Sequence, residues 1–293
     1  MLPLNRLTCP SCGATQFGSS KSALAGDDGV RKLYAAAGGV AEAQQLTRIV
    51  TGIADRNWGE ADAPGIVTTS VTMFAGEPGA GKSTLFLQIL LSMFRQTGQP
   101  GLYVGAEESG EQIGDRAKRL GLPPESLLTL TVRELSEGKF LSRDHIKKYR
   151  PCACVIDSIQ KYVQGAAARE ELCGWAKQVA ILERVPFFLI SQVNKDDDFQ
   201  GSMGTQHEPD TLLFMNMVGS IQDERKRDHY PPSITDAQGG TQVEPFRILT
   251  TRKNRFGGGY ESYWLMTRDG LKPYVLGKAP PPPPPEEEDE EAA

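Results

Sequence analysis

The chain contains the stretch Gly76-Glu77-Pro78-Gly79-Ala80-Gly81-Lys82-Ser83, which matches the phosphate-binding pattern G-x-x-x-x-G-K-[ST] at every fixed position. A β-rich run at 67–74 precedes this loop, and a run typical of a helix, at 84–91, follows it. In a strand–loop–helix context, backbone N–H groups and the positive end of the helix bind phosphate groups. The stretch therefore predicts a nucleotide site rather than an ordinary glycine-rich turn.

Two side chains of this loop have expected roles in binding ATP. Lys82 is expected to reach the β- and γ-phosphates and to act in catalysis, and the Ser83 hydroxyl is expected to coordinate Mg²⁺. ATP and Mg²⁺ are therefore the expected cofactors. The predicted nucleotide-binding residues of the loop are Gly76, Glu77, Pro78, Gly79, Ala80, Gly81, Lys82, Ser83 and Thr84.

Strand-like and helix-like segments alternate from Thr47 onward, which is typical of a parallel sheet with crossover helices. The sequence predicts an α/β fold, a P-loop NTPase core with a mostly parallel, twisted sheet flanked by helices. Further predicted strands lie at 101–105, 127–132, 152–157, 186–191, 211–217, 246–251 and 261–267. Predicted helices lie at 109–120, where Ser109 and Gln112 form a capping box, and at 143–149 and 168–183.

Composition divides the chain into three predicted parts. Residues 1–45 show little apolar periodicity and are expected to be an N-terminal appendage, and 46–275 are expected to form the ATPase domain. Residues 276–293, with prolines at 280–285 and six acids at 286–291, are expected to be a disordered tail. Removing these six acids from the 37 Asp and Glu leaves 31 against 32 Lys and Arg, so net charge neither supports nor excludes nucleic-acid binding.

The sequence also carries information on compartment and metal binding. No stretch approaches the roughly twenty apolar residues of a membrane span, and the N-terminus lacks a signal-peptide pattern, so we expect a cytoplasmic protein without a membrane partner. Cys152, Cys154 and Cys173 lie in apolar or helical patterns and are expected to be reduced, buried thiols. Cys9 and Cys12 form one C-x-x-C pair and are candidate Zn²⁺ ligands; a vestigial pair and a site shared between chains are the alternatives.

Three further positions follow predicted strands, where the carboxyl ends of a parallel sheet meet a ligand. Asp157 ends an apolar run and is expected to hold Mg²⁺ directly or through a water molecule. Glu107, with Glu108 as its partner, is expected to polarise the attacking water, although two solvated carboxylates would give the same pattern. Gln192 is a candidate γ-phosphate sensor, and an ordinary polar strand end is its alternative.

Five segments carry a family resemblance, namely Arg48-Ile49-Val50-Thr51-Gly52-Ile53, the phosphate loop, Tyr103-Val104-Gly105-Ala106-Glu107-Glu108-Ser109, Val155-Ile156-Asp157-Ser158-Ile159-Gln160 and Lys253-Asn254-Arg255-Phe256-Gly257. With these segments, the chain resembles the bacterial RadA (Sms) family of RecA-like DNA repair ATPases over about residues 47–274. The resemblance implies a RecA-like core, DNA-dependent ATP hydrolysis and a ring-forming homo-oligomer, with a hexamer as the candidate size. It also implies binding of single-stranded or branched DNA, branch migration, and other recombination proteins as partners.

The last of these segments, which we call the cationic turn (residues 253–257), is a hallmark of the family. By resemblance, Lys253 and Arg255 are catalytic cations that act on the nucleotide site of a neighbouring subunit. From the residues alone, a basic surface turn that ends in Gly257-Gly258-Gly259 is the alternative.

The chain also departs from the family pattern. The family has two C-x-x-C pairs, a Lon-protease-like domain after the ATPase core, and a Gly-His pair where Ser191-Gln192 stand here. We therefore expect a protein without that C-terminal domain and with half of the zinc element. Two other functions fit a RecA-like core: a KaiC-like signalling or scaffold ATPase without DNA dependence, and a non-catalytic DNA-binding adaptor.

Overall fold

The computed structural model describes residues 46–192, 208–217 and 246–274, and the described residues from Arg48 onward belong to one compact unit. The strands are β1 (Arg48–Ile49), β2 (Ile66–Val67), β3 (Val71–Gly76), β4 (Gly101–Gly105), β5 (Leu127–Thr131), β6 (Cys154–Asp157), β7 (Phe187–Ile190), β8 (Thr211–Met217), β9 (Phe246–Asn254), β10 (Glu261–Thr267) and β11 (Gly270–Tyr274). The helices are α1 (Asp55–Trp58), α2 (Lys82–Thr97), α3 (Gly110–Arg119), α4 (Val132–Ser136), α5 (Arg143–Tyr149), α6 (Ile159–Tyr162) and α7 (Ala166–Glu183).

In the described part of the chain, nine strands form one sheet in the order β11-β10-β9-β8-β3-β7-β6-β4-β5. The six strands from β8 to β5 in this order are parallel, and β9, β10 and β11 extend the sheet with antiparallel pairs. The predicted α/β fold with a mostly parallel sheet is therefore confirmed. The parallel strands end together at one edge, which we call the carboxyl edge; the opposite edge is the amino edge.

Both faces of this sheet are buried, and each carries a layer of hydrophobic side chains. Phe188 and Phe74 point to the face covered by α2, whereas Phe187 and Leu189 point to the face covered by α7. This alternation along β7 is the two-residue period of a strand. Helices on both faces leave the carboxyl edge of the sheet open for a ligand.

Phe86 of α2 lies at the centre of the hydrophobic core between α2 and the sheet. It has no exposed surface, and its ring centroid lies 4.9 Å from that of Phe74 and 4.8 Å from that of Phe188. We expect Phe86→Ala to lower the free energy of unfolding by about 3–5 kcal/mol, because it leaves a cavity between the rings of Phe74 and Phe188. Urea denaturation followed by circular dichroism measures this loss. Phe140→Ala, at a residue that is 49% exposed, is the control and should cost far less.

Most predicted elements agree with the structure in type and approximate position, including the capping box in which Ser109 and Gln112 begin α3. The β-rich run at 67–74 is a correction, since it divides into β2 and β3. The Ser70 N–H and hydroxyl both donate to the Val67 carbonyl, at 3.2 and 2.7 Å, which forms a turn between the two strands. β1, α1, α4, α6 and β11 were not predicted. Within the described residues, no helix is long and apolar enough to cross a membrane.

The predicted domain boundaries at 45/46 and 275/276 adjoin or lie outside the described residues, and they stay predictions. The predicted surface loop at 219–244 also lies outside them.

Candidate active site

The phosphate loop begins where β3 ends, and its glycines allow close backbone approaches. A Cβ atom on Gly76 would lie 2.2 Å from the Met215 carbonyl oxygen of neighbouring β8. Gly81 has a φ of +99°, and a Cβ there would lie 2.2 Å from the Met266 Cε. The β8 backbone leaves no room for a Cβ at Gly76, and the positive φ favours glycine at Gly81, so the loop can close against β8 and β10 and present its backbone to a ligand.

Lys82 is held at the mouth of this loop. Its Nζ donates to the carbonyl oxygens of Gly76 at 2.8 Å and Glu77 at 2.7 Å, and the residue is 8% exposed. Burial lowers the pKa of Lys82, while the nearby Asp157, Glu107 and Glu77 carboxylates oppose that shift. The side chain is therefore placed to exchange backbone oxygens for phosphate oxygens when a nucleotide binds.

Ser83 and Asp157 meet as the sequence predicts. The Ser83 hydroxyl donates to Asp157 Oδ2 at 2.5 Å, and the Tyr103 hydroxyl donates to the same oxygen at 2.5 Å. Burial raises the pKa of Asp157, although both hydrogen bonds favour its charged form. A hydroxyl beside a desolvated carboxylate fits Mg²⁺, which takes few protein oxygens and completes its shell with water and substrate phosphates.

The two glutamates after β4 have different partners. Glu107 Oε1 accepts a hydrogen bond from the Ser158 hydroxyl, and the Gln192 amide lies 3.3 and 3.4 Å from the two carboxylate oxygens. Glu108 forms a bidentate ion pair with Arg116, at 2.6 and 2.8 Å, which raises the pKa of Arg116. Because the oxygens of Glu108 are engaged by a guanidinium, Glu107 is the carboxylate better placed to accept a proton.

Gln192 is fixed behind Glu107 by a second amide. Gln160 Nε2 donates to the Ser191 hydroxyl at 2.6 Å and to the Gln192 carbonyl at 3.1 Å. Gln192 therefore connects the candidate base to the end of β7. Its predicted role as a sensor of the γ-phosphate stays a prediction.

These side chains line one cleft of about 540 Å³ at the carboxyl edge. Its floor is the phosphate loop, and its walls come from four separate segments of the chain. The cleft is lined by Pro78, Gly79, Gly81, Lys82, Ser83, Thr84, Glu107, Glu108, Arg116, Arg119, Asp157, Gln192, Met266 and Thr267. The structure thus brings Lys82 and Ser83 together with Asp157, Glu107 and Gln192, whereas the predicted loop residues Gly76, Glu77 and Ala80 do not line the cleft.

The cationic turn does not join this cleft. β9 runs antiparallel to β8, so that Asn254 pairs with Thr211 at the amino edge, while Met215 pairs with Gly76 at the carboxyl edge. Lys253 and Arg255 therefore lie at the opposite end of the strands from the phosphate loop. With about 3.3 Å per residue, the six residues of β3 separate the two regions by roughly 20 Å.

Several residues at the site were not predicted, including the cleft-lining Arg116, Arg119, Met266 and Thr267. Tyr103 bonds Asp157, Ser158 bonds Glu107, and Arg247 Nε donates to the Ala80 carbonyl of the loop at 2.9 Å. Strand alternation carries a signal for Tyr103, because it lies two residues before Gly105, which pairs with Asp157. Arg247 is the second residue of β9, and its proximity to the loop depends on tertiary structure alone.

Zinc binding has no support in the part of the chain that the structure describes. Cys9 and Cys12 lie outside it, and no group of three or more His, Cys, Asp or Glu side chains within it could hold a metal ion. Cys152, Cys154 and Cys173 are free and buried, as predicted. Burial raises the pKa of Cys152 and of Cys173 to about 12, so both thiols are protonated and poorly reactive at neutral pH.

A comparison with family profiles adds to this geometry. A profile described as "ATPase: KaiC" matches residues 49–216, which is more than half of the chain. The chain belongs to the KaiC-type ATPase family. A KaiC-like protein of Pyrococcus horikoshii has a solved structure with a TM-score of 0.58 and 15% identity, covering 78% of this chain and 100% of that one. At this identity the likeness concerns the fold alone.

Within the KaiC-type ATPases, the curated relatives identify the chain as a RadA-type member, which confirms the resemblance noted from the sequence. The DNA repair protein RadA of Aquifex aeolicus is 34% identical over 219 residues, covering 71% of this chain and 42% of the relative. That of Escherichia coli is 29% identical over 256 residues, covering 82% and 49%. This KaiC-type chain thus spans about half the length of its RadA relatives.

The raised pKa of Asp157 leads to a prediction on stability. Between the ordinary pKa of an aspartate and its raised value in the folded state, the folded chain binds more protons than the unfolded chain. The stability of the metal-free protein therefore falls as pH rises through that window, and the cost persists above it. We expect Asp157→Asn to raise the Tm at neutral pH and to have little effect at pH below the window.

Thermal denaturation in a chelating buffer across this pH range measures the difference. Asp269→Asn is the matched control, because the Asp269 side chain is 74% exposed. An equal gain for both variants would contradict the assignment to burial.

Proposed function

We propose that this chain is an ATP-hydrolysing, DNA-stimulated ATPase that acts in DNA recombination and repair as a homo-oligomer. The observation that carries the proposal is the convergence of Lys82, Ser83, Asp157 and Glu107 in one cleft at the carboxyl edge. Phosphoanhydride hydrolysis needs charge neutralisation, a metal ligand set and a group that orients water. Each need is met there by a named side chain.

Different residues of the cleft have different roles in the proposed hydrolysis. The backbone of the phosphate loop and Lys82 bind and orient the phosphates, and the carboxylate of Glu107 orients the attacking water and accepts its proton. When bound by Ser83 and Asp157, Mg²⁺ supplies neutralisation of phosphate charge. Gln192, which contacts Glu107, is placed to respond to the γ-phosphate.

The position of the cationic turn supports an oligomer. Because Lys253 and Arg255 lie at the amino edge, they cannot reach the nucleotide of their own subunit across roughly 20 Å. A head-to-tail neighbour would bring its carboxyl edge against this turn, and such heterologous contacts build rings or filaments. A cation delivered in trans to the transferring phosphoryl group stabilises transition-state charge.

DNA is the proposed polymer partner because the matching curated relatives are named DNA repair proteins. Their names also favour repair over a KaiC-like signalling role. Single-stranded and branched DNA are the proposed ligands, with branch migration as the proposed outcome and other recombination proteins as further partners.

The decisive measurement is ATP turnover with and without single-stranded DNA at several salt concentrations. We expect DNA to increase turnover, and added salt to weaken the increase, because phosphate contacts release counterions. If ATP turnover is the same with and without DNA, and size-exclusion chromatography shows an oligomer that forms only with nucleotide, the KaiC-like scaffold would be supported instead. DNA binding that survives without any ATP turnover would support the adaptor.

A further inference from the structure

Asp210 is a buried acid at the amino edge of the sheet. It is 2% exposed, and its Oδ2 accepts a hydrogen bond from the Val71 N–H at 3.0 Å. Its own N–H donates to the Val71 carbonyl at 2.9 Å. Asp210 is thereby fixed to the first residue of β3, the strand that carries the phosphate loop at its other end.

Asp210 also holds the cationic turn. The Arg255 N–H donates to the Asp210 carbonyl at 2.9 Å, and Arg255 Nη1 lies 3.5 Å from Asp210 Oδ1. On the next residue, the Phe256 N–H donates to Asn254 Oδ1 at 2.9 Å. The backbone on both sides of the Arg255 side chain is therefore fixed, while that side chain stays 52% exposed.

A β-bulge sets the direction of the turn. Leu212 pairs with Lys253 and Leu213 with Thr251, so Arg252 is an extra residue in β9. An extra residue moves the following side chains to the other face of the sheet. The bulge places Lys253 opposite Leu212, on the face covered by α7.

Lys177 of α7 supplies the positive charge that the buried carboxylate requires. Its Nζ forms an ion pair with Asp210 Oδ1, closer than the contact of Arg255 with the same oxygen, and its side chain is 22% exposed. A buried charge without a partner is strongly destabilising, whereas a paired and hydrogen-bonded charge is tolerated. Because Lys177 neutralises Asp210, Arg255 can turn toward a neighbouring subunit without leaving an uncompensated acid.

We propose that Asp210, held in place by its ion pair with Lys177, is a positioning residue that fixes Arg255 for the nucleotide site of the next subunit. The inference rests on the trans role of Arg255 proposed above. It adds Lys177 of α7 and Asp210, directly before β8, to the residues that would serve the neighbouring nucleotide site.

The test is a subunit-mixing assay. Lys82→Ala removes a subunit's own nucleotide site but leaves its cationic turn intact, so an excess of it should restore turnover to Arg255→Ala subunits. We expect Asp210→Asn to lower turnover roughly 10- to 100-fold, because a small misplacement of Arg255 is costly, with the KM for ATP near wild type. An excess of Lys82→Ala should restore its activity as well.

The decisive arm is the double variant Lys82→Ala with Asp210→Asn, which should fail to restore turnover to Arg255→Ala. Restoration by this double variant would overturn the proposal, because Arg255 would then work without Asp210. Failure of Lys82→Ala to restore Asp210→Asn would also overturn it, since Asp210 would then serve its own subunit. If Arg255→Ala turns over ATP at the wild-type rate, the trans role of Arg255 itself fails. This outcome is distinct from failure of the Asp210 proposal, because Asp210 is intact in the Arg255→Ala variant.

Lys177 gives an independent test that leaves Asp210 in place. We expect Lys177→Gln to lower turnover and Lys177→Arg to retain it, because only the second keeps the charge beside Asp210. Wild-type turnover in Lys177→Gln would overturn the role of this pair. Asp269→Asn, an exposed acid that pairs with Lys272 at 3.6 Å, is the matched control and should not change turnover.

Discussion

Glu107→Gln is expected to reduce ATP turnover by roughly 10²- to 10⁴-fold while ATP binding is retained, because the amide cannot accept a proton from water. The substitution preserves the shape of the side chain and its hydrogen bond from the Ser158 hydroxyl. Steady-state phosphate release measures turnover, and equilibrium binding of a fluorescent ATP analogue measures affinity. The difference between the two separates catalysis from binding.

Glu108→Gln is the matched control for this experiment. Both glutamates stand side by side in the same cleft, but Glu108 is held by Arg116 in a bidentate ion pair. We expect a smaller loss of turnover for Glu108→Gln than for Glu107→Gln. The reverse order would assign the role of base to Glu108 and would contradict the geometry.

Arg255→Ala is expected to lower turnover by roughly 10³- to 10⁵-fold, the effect of removing a cation that stabilises the transferring phosphoryl group. The distance of the cationic turn from its own phosphate loop means that ATP binding should persist. In mixtures with Lys82→Ala, activity should reappear, since an intact turn and an intact loop then meet at some of the interfaces. Turnover measured across mixing ratios gives this result directly.

Arg252→Ala is the control for charge. Arg252 lies in β9, three residues before Arg255, and its guanidinium lies 4.8 Å from the centre of the Phe214 ring. The Arg252→Ala substitution removes one positive charge from the same region and leaves residues 253–257 unchanged. We expect near-normal turnover; a loss as large as that of Arg255→Ala would point to a general electrostatic effect instead of a specific contact.

Much of the cleft could be predicted from sequence because its chemistry lies in local patterns. The phosphate loop has fixed spacing, and Asp157, Glu107 and Gln192 each follow a predicted strand. In a parallel sheet the carboxyl ends of the strands lie at one edge, so the position of each residue at the end of a predicted strand was enough to place them together. The sequence pattern alone could not decide whether Glu107 or Glu108 is the base. The ion pair between Glu108 and Arg116 supports Glu107.

Other features could not be predicted because they depend on contacts between distant segments. Tyr103 and Arg247 touch the site through side chains whose direction follows from strand pairing, and β11 joins the sheet only through its pairing with β10. The single run at 67–74 was not divided in advance, because a short turn at Ser70 leaves no break in the apolar pattern.

The sequence by itself determined the nucleotide loop, the α/β class and the RadA-type relationship, because these depend on spacing and periodicity along the chain. Only the tertiary structure decided on which side of the molecule the cationic turn lies. An antiparallel β9 with one extra residue carries Lys253 and Arg255 to the amino edge, where the buried Asp210 holds Arg255. Strand direction and register depend on partners far away in the chain, so no local pattern could supply them.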